Sequence, residues 1–254
     1  MTSTAGKSQT DVVVQGIKAM IVDGKLKAGD KLPVEKDLAA AMGVSRGPLR
    51  EGVRALSIMG VLETRQGAGT FVTALDPALL LAPMGFVVDL QDRGGAVQLH
   101  AVRRVLETEA AAQAAVHIDD EALGGAEAIL REAEQQLARK RPDHEALLEA
   151  DIAFHRLIAK ASGNAVLAAL IEALGGRTVR LRLWRSINQE GADEATHAEH
   201  RAVLDALAAH DPDRARVRMA AHLFAVEGYL RDRRSAQEAL RPEPMKGSHR
   251  ERSG

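Results

Sequence analysis

Four side chains able to ligate a metal, Asp151, His155, His200 and His222, fall on the apolar stripes of three separate helical segments. In DHEALLEADIAFHRLIAKA (143–161), helical geometry puts Asp151 and His155, spaced i and i+4, on one face with Leu147, Leu148, Phe154 and Ile158. Glu145, Glu149, Arg156 and Lys160 lie opposite. His200 shares a stripe with Val203, Leu204 and Leu207, and His222 shares one with Met219, Ala225, Val226 and Tyr229. An Asp and a His one turn apart can grip a single cation. They can equally form a structural hydrogen-bonded pair, and each histidine taken alone reads as a satisfied core residue. Together they make an Asp-His-His-His set without thiolates, suited to a divalent metal ion (Zn²⁺, Ni²⁺ or Mn²⁺) with coordination positions left open. His197 is either a spare ligand or an exposed residue, and exposure is the expectation. His100, His117, His144, His210 and His249 read as ordinary histidines.

A second constellation lies near the start of the chain. Arg46, Arg50 and Arg54 recur at i, i+4 and i+8 beside the apolar stripe Leu49, Val53 and Leu56, so three guanidinium groups leave one helix on one side. Such a row suits guanine edges and phosphates in a DNA major groove, although a solvated helix face has the same look.

The elements that must position these groups follow from periodicity and turn signals. Val13, Ile17, Met20 and Ile21 mark a first helix ending at Gly24; Leu38, Ala39 and Met42 mark a second ending at Gly43; Ser45 is placed to cap the third, which Gly60 terminates. Helix, tight turn, helix is the helix-turn-helix pattern. VLETR, QGAG and TFVT then predict a hairpin, a wing with Arg65 and Gln66 at its tip. From about residue 97 onward, Ala-rich amphipathic stretches predict an all-helical bundle. The fold expected is mainly α: a winged helix-turn-helix domain over 10–75, a linker helix over 76–96 interrupted by Pro83 and Gly85, a helical domain over 97–232, and a flexible tail over 233–254.

Composition excludes several classes. The 254 residues are 46% hydrophobic and 27% charged, as expected of a globular protein of about two domains. Ten Lys and Arg against seven Asp and Glu give residues 1–75 a charge of +3, while twenty-four against twenty-eight give the remainder −4. Basic charge is therefore local to the front domain. Cysteine is absent, which removes disulfides and thiolate chemistry. Neither a signal-peptide core nor a membrane-spanning run is visible, so a cytoplasmic location without a membrane partner is expected. The few aromatic residues argue against a base-stacking single-strand binder.

GKLKAGDKLPVEKDLAAAMGVSRGPLREGVRAL, followed by GVLETRQGAGTFV, resembles the winged-helix domain of the GntR family of bacterial transcription regulators over residues 12–73. The resemblance implies DNA contacts from Lys36, Ser45, Arg46, Arg50, Gln66 and Gly67, with weaker support for Arg54. Two departures stand out. Val34 replaces a capping Ser, which costs about 1 kcal/mol, and Gly47 replaces a Thr or Ser that commonly touches a phosphate.

The rear part, through DIAFHRLIAKASGN, EHRAVLDAL and AAHL, resembles the FCD ligand-binding domain of the FadR-type subgroup over about 97–232. Metal-binding members of that subgroup imply Asp151, His155, His200 and His222 as ligands, and a small effector, often a carboxylate metabolite. Arg104, Asn164, Arg177 and Arg180 are the residues expected to hold it. The helical wheel disagrees for Arg104: it turns Arg104 and Glu107 away from Val102 and Leu106, toward solvent.

The expected function is a homodimeric, metabolite-responsive repressor on operator DNA, not an enzyme. Two other readings stay open at this point: a metal-dependent hydrolase carrying a DNA-binding appendage, and a direct metal sensor. Neither an H-E-x-x-H element nor a suitably placed general base supports the hydrolase.

Overall fold

A computed structural model describes residues 8–81, 83 and 95–239, with side chains described throughout except at 95–96, 176–181 and 230–239. Most of the expected linker over 76–96 and the tail beyond Ala239 lie outside the described residues.

The front domain packs three helices, α1 (Gln9–Val22), α2 (Glu35–Met42) and α3 (Arg46–Ile58), against a two-stranded sheet of β1 (Leu62–Arg65) and β2 (Gly69–Val72). A capping box starts α1: Ser8 Oγ accepts from the Asp11 N–H, and Asp11 accepts in return from the Ser8 N–H. Helix α2 begins without any side-chain cap at Val34, and Glu35 and Asp37 in its first turn face the helix dipole favourably instead. It ends on Gly43 in the left-handed region, at φ 66°.

Ser45 occupies the N-cap position of α3 with extended backbone, yet its side chain makes no capping hydrogen bond. This corrects the expected cap, and the reason is local. Pro48 is the third residue of the helix, so one of the two N–H groups that a capping Ser usually serves does not exist. The Ser45 hydroxyl is left exposed on the outer surface.

Val13, Ile17, Leu38, Leu49, Leu56, Leu62 and Val72 form the core of this domain. Helices α1 and α3 approach closely at Gly52, where a Cβ would lie 2.5 Å from Val13 Cγ1. The strands pair antiparallel, Leu62 with Val72 through Arg65 with Gly69, leaving Gln66 and Gly67 (φ 74°) at the tip of the wing.

The rear domain is helical throughout its described residues: α4 (Gly95–His117), α5 (Asp120–Leu137), α6 (His144–Ala161), α7 (Ala165–Asn188), α8 (Ala192–Ala208) and α9 (Pro212–Ala239). Buried Ala110, Ala111, Ala112, Ala114 and Ala115 make α4 narrow enough to be enclosed by its neighbours, α9 foremost. Phe154, Ile158, Val203, Leu207, Met219 and Leu223 fill the space between α6, α8 and α9. That packing holds three helix faces around one point. No helix among the described residues is long and apolar enough to cross a membrane.

Candidate metal centre and nucleic-acid interface

Asp143 accepts from the N–H groups of Glu145 and Ala146 and so fixes the start of α6, which carries Asp151 and His155 two turns later. The structure brings Asp151, His155, His200 and His222 together, with one potential ligand atom from each inside a 4.8 Å sphere of separations, all four buried. His155 Nε2 and His200 Nε2 lie 3.2 and 3.3 Å from His222 Nε2. Asp151 Oδ1 is 3.7 Å from His155 Nε2 and 3.5 Å from His200 Nε2. Donors bound tetrahedrally at 2.0–2.1 Å from one ion sit about 3.3 Å apart, so the spacing matches the edges of a zinc-type polyhedron.

Carboxylates behind the rings set their orientation. Glu107 on α4 sits against His155 Nδ1, and Glu199 accepts from His222 Nδ1 at 2.8 Å. With Nδ1–H committed outward, the Nε2 lone pairs of both rings point at the common centre. Burial, followed by the neighbouring imidazoles, keeps His200 well below its ordinary pKa. Burial likewise lowers His222 to about 4, although Glu199 opposes the shift. Both rings are therefore neutral at pH 7, the form that binds metal. Burial raises the Glu107 carboxyl, but its contacts with His155 and Arg103 outweigh burial and hold the group ionised.

Two arginines, Arg103 buried and Arg182 largely so, complete the centre. Arg103 donates to Glu107 at 2.6 Å, and Arg182 Nη1 grips Asp151 Oδ2, leaving Oδ1 of the same carboxylate for the histidines. Burial and the charge of Arg103 bring Arg182 down to about 9, still cationic at neutral pH. Beside the quartet opens a cavity of about 60 Å³, walled by apolar groups such as Leu147 and Val226 and lined by Arg182, Arg185, His197 and His200.

Two of the residues expected to hold an effector, Arg104 and Asn164, are placed differently. Arg104 lies over the Phe224 ring at 4.1 Å and pairs with buried Glu227 at 3.0 Å, away from the cavity lining. Asn164 spends its side-chain oxygen capping α7, accepting from the Leu167 N–H at 3.0 Å. The side chains of Arg177 and Arg180 lie outside the described residues. Arg182 and Arg185, further along the same helix, occupy the cavity wall. The helical wheel had Glu107 facing solvent; the structure buries Arg103 and Glu107 and exposes Val102 and Val105. His197 is half-buried on the cavity wall rather than exposed.

At the other end of the chain Lys36, Ser45, Arg46, Arg50, Arg54, Gln66 and Gly67 are all exposed. Arg50 is held by Glu35 of α2 in a forked pair, Nη2 to Oε2 at 2.9 Å and Nε to Oε1 at 3.2 Å. Arg65 stacks on Phe71 at 4.6 Å and pairs with Glu63 on its own strand, which stiffens the wing.

Comparison with known proteins decides what these two sites belong to. Residues 9–72 match the family model of bacterial regulatory proteins of the gntR family, and residues 98–225 match that of the FCD domain. The chain is a GntR-family regulator.

Similar proteins include the HTH-type transcriptional regulator LutR of Bacillus subtilis, 32% identical over 83% of this chain and 96% of that protein. Another is the putative L-lactate dehydrogenase operon regulatory protein of Escherichia coli K12, 31% identical over 96% and 95%. Among solved structures, Streptococcus agalactiae GntR superposes with a TM-score of 0.63 at 26% identity, covering 87% of this chain and 99% of its own. The GntR and FCD modules give this regulator a DNA-binding front domain and a helical effector domain of the kind found in the FadR-type subgroup. Its relatives are transcription regulators, and the hydrolase reading is set aside on that ground.

Proposed function

We propose that this GntR regulator is a cytoplasmic homodimeric repressor whose rear domain binds one divalent ion (Zn²⁺, Ni²⁺ or Mn²⁺) through Asp151, His155, His200 and His222. A small carboxylate then completes the coordination and releases the protein from operator DNA. The observation carrying the reading is the convergence of His155 and His222 Nε2, each with Nδ1 backed by a carboxylate, on His200 Nε2 and one Asp151 oxygen at 3.2–3.7 Å. Lone pairs facing one another this closely in a buried space repel unless a cation or a shared proton lies between them.

The same centre calls for an anion. Arg103 and Arg182 already balance Glu107 and Asp151. A divalent ion adds two positive charges, of which the Glu199 carboxylate behind His222 offsets one, and a carboxylate entering from the cavity would meet both the ion and Arg182. The named role of the Escherichia coli relative makes L-lactate the first acid to test.

In the front domain Arg46, Arg50 and Arg54 enter the major groove, Lys36 and Ser45 contact phosphates, and Gln66 and Gly67 bring the wing to the backbone or minor groove. Two such domains read an inverted repeat. Occupied grooves exclude other proteins from the same stretch, so repression is the direct result of binding. The domain divisions 10–75 and 97–232, joined through 76–96, are the units across which the effector acts. Operator gel shifts with metal stripped or restored, with and without L-lactate, test the scheme. Release that needs metal and acid together supports it; release by metal alone, or no response to L-lactate or any other short acid, overturns it.

A further inference from the structure

The cavity beside the quartet has a second arginine on its wall, and the metal centre does not use it. Arg182 spends its charge on Asp151, whereas Arg185, three residues further along α7 and about 4.5 Å along the helix axis, forms no ion pair among the described residues. Arg185 lines the cavity and is only 7% exposed. Its Nε donates to Gln189 Oε1 at 3.0 Å. Nη1 and Nη2 have no hydrogen-bond partner among the described residues, yet neither is sealed into the packing as Arg182 Nε is. Both keep accessible surface, so a molecule in the cavity can reach them. The Tyr229 ring, 6.0 Å from the guanidinium carbon, offers a π face on its side and no countercharge.

The two carboxylates whose charges reach Arg185 are engaged elsewhere. Glu199 accepts from His222 Nδ1, and Asp193 accepts from Ser186 Oγ at 2.8 Å and lies 2.9 Å from His144 Nδ1. They act on Arg185 through space alone: burial lowers its pKa, and the charges of Glu199 and Asp193 oppose the shift. A guanidinium keeps its proton near neutrality, so the cavity wall carries a buried cation without a bonded anion. Such a group is costly unless the occupant of the cavity supplies the partner. At about 60 Å³ the cavity holds on the order of four to six water-sized groups, which suits a chain of about three or four carbons.

We infer that Arg185 is a specificity-determining residue, and that the cavity takes a short dicarboxylate, one end at the ion and Arg182, the other held by the free Nη groups of Arg185. This rests on the carboxylate-at-metal reading proposed above and adds a second acidic group to the ligand. A methyl group or hydroxyl at the outer end would give the guanidinium no countercharge, whereas a carboxylate offers two oxygens that match its fork. Repulsion from Asp193, whose oxygen is already drawn into bonds with Ser186 and His144, is outweighed by that direct pairing.

Calorimetric titration of the full-length, zinc-loaded protein tests the inference with acids of equal chain length that differ in the second carboxylate: malonate against propionate, and succinate against butyrate, with L-lactate alongside. At least one dicarboxylate is expected to bind about ten-fold or more tightly than its monocarboxylate counterpart. Arg185→Gln should bring that ratio close to one with zinc content retained, and Arg185→Lys, which keeps the charge, should hold part of the preference. Dicarboxylates that bind wild type no more tightly than their counterparts, or a preference that survives Arg185→Gln, overturn this inference alone. If none of these acids binds, or zinc removal leaves binding intact, the carboxylate-at-metal reading falls and this inference falls with it.

Discussion

Glu199 accepts a hydrogen bond from His222 Nδ1 at 2.8 Å, so the ring presents Nε2 to the other two histidines. Glu199 is itself 30% exposed, and can be changed without opening the core. Glu199→Gln is therefore expected to weaken zinc binding about 10- to 100-fold with little change in helix content, read by competition with a chromogenic chelator. Unchanged affinity would mean that the carboxylate does not orient the ring.

Loss of the ligands themselves should be more complete. Elemental analysis of folded protein is expected to find about one divalent ion per chain in the wild type and none in an Asp151→Ala, His200→Ala double variant. The same metal content in the variant would remove the assignment.

Acid should destabilise the metal-free protein through its buried rings. Burial lowers His222 to about 4, and burial with the charge of Arg103 lowers His100 to about 3. The folded state thus binds fewer protons than the unfolded chain below the ordinary histidine pKa of about 6.5. Stability is complete above about pH 6.5 and falls as pH drops toward 4. Melting temperatures of stripped protein across this range check the sign; a flat profile would contradict neutral burial.

Much of this was readable from the chain and some was not, for identifiable reasons. The quartet showed because the same anomaly, a metal-type ligand on an apolar stripe, recurs on α6, α8 and α9. Arg103 and Glu107 did not show, since α4 is enclosed on so many sides that its wheel lacks a dependable solvent face. Arg182 and Arg185 were missed because arginine ordinarily marks solvent, and no spacing distinguishes a cavity wall from a surface. The Ser45 cap failed on Pro48, a neighbour whose missing N–H was visible in the sequence itself.

On the DNA side, Glu35 occupies the fork of Arg50 before any DNA arrives. A solvent-exposed pair of this kind is weak, so the arginine can exchange it for a guanine edge. Arg50→Ala should lose about 1–3 kcal/mol of base discrimination in operator binding measured by fluorescence anisotropy. Glu35→Gln, which removes a negative charge from the groove-facing side, should tighten binding to random-sequence DNA and narrow the operator's advantage.

The contact between Gly52 and Val13 gives a further expectation. A Cβ 2.5 Å from Val13 Cγ1 forces α1 away from α3, so Gly52→Ala should destabilise the front domain by about 1–3 kcal/mol in denaturant unfolding.

The pairing of Arg103 with Glu107 and of Arg182 with Asp151 neutralises two carboxylates in and beside the quartet before any ion is loaded. On the metal-binding reading, a newly made chain folds first and acquires its cation afterwards, unlike small zinc modules that collapse only around their metal. Under the proposed scheme such a device answers to two inputs in sequence, trace-element supply and then nutrient, and behaves as a logical conjunction of both.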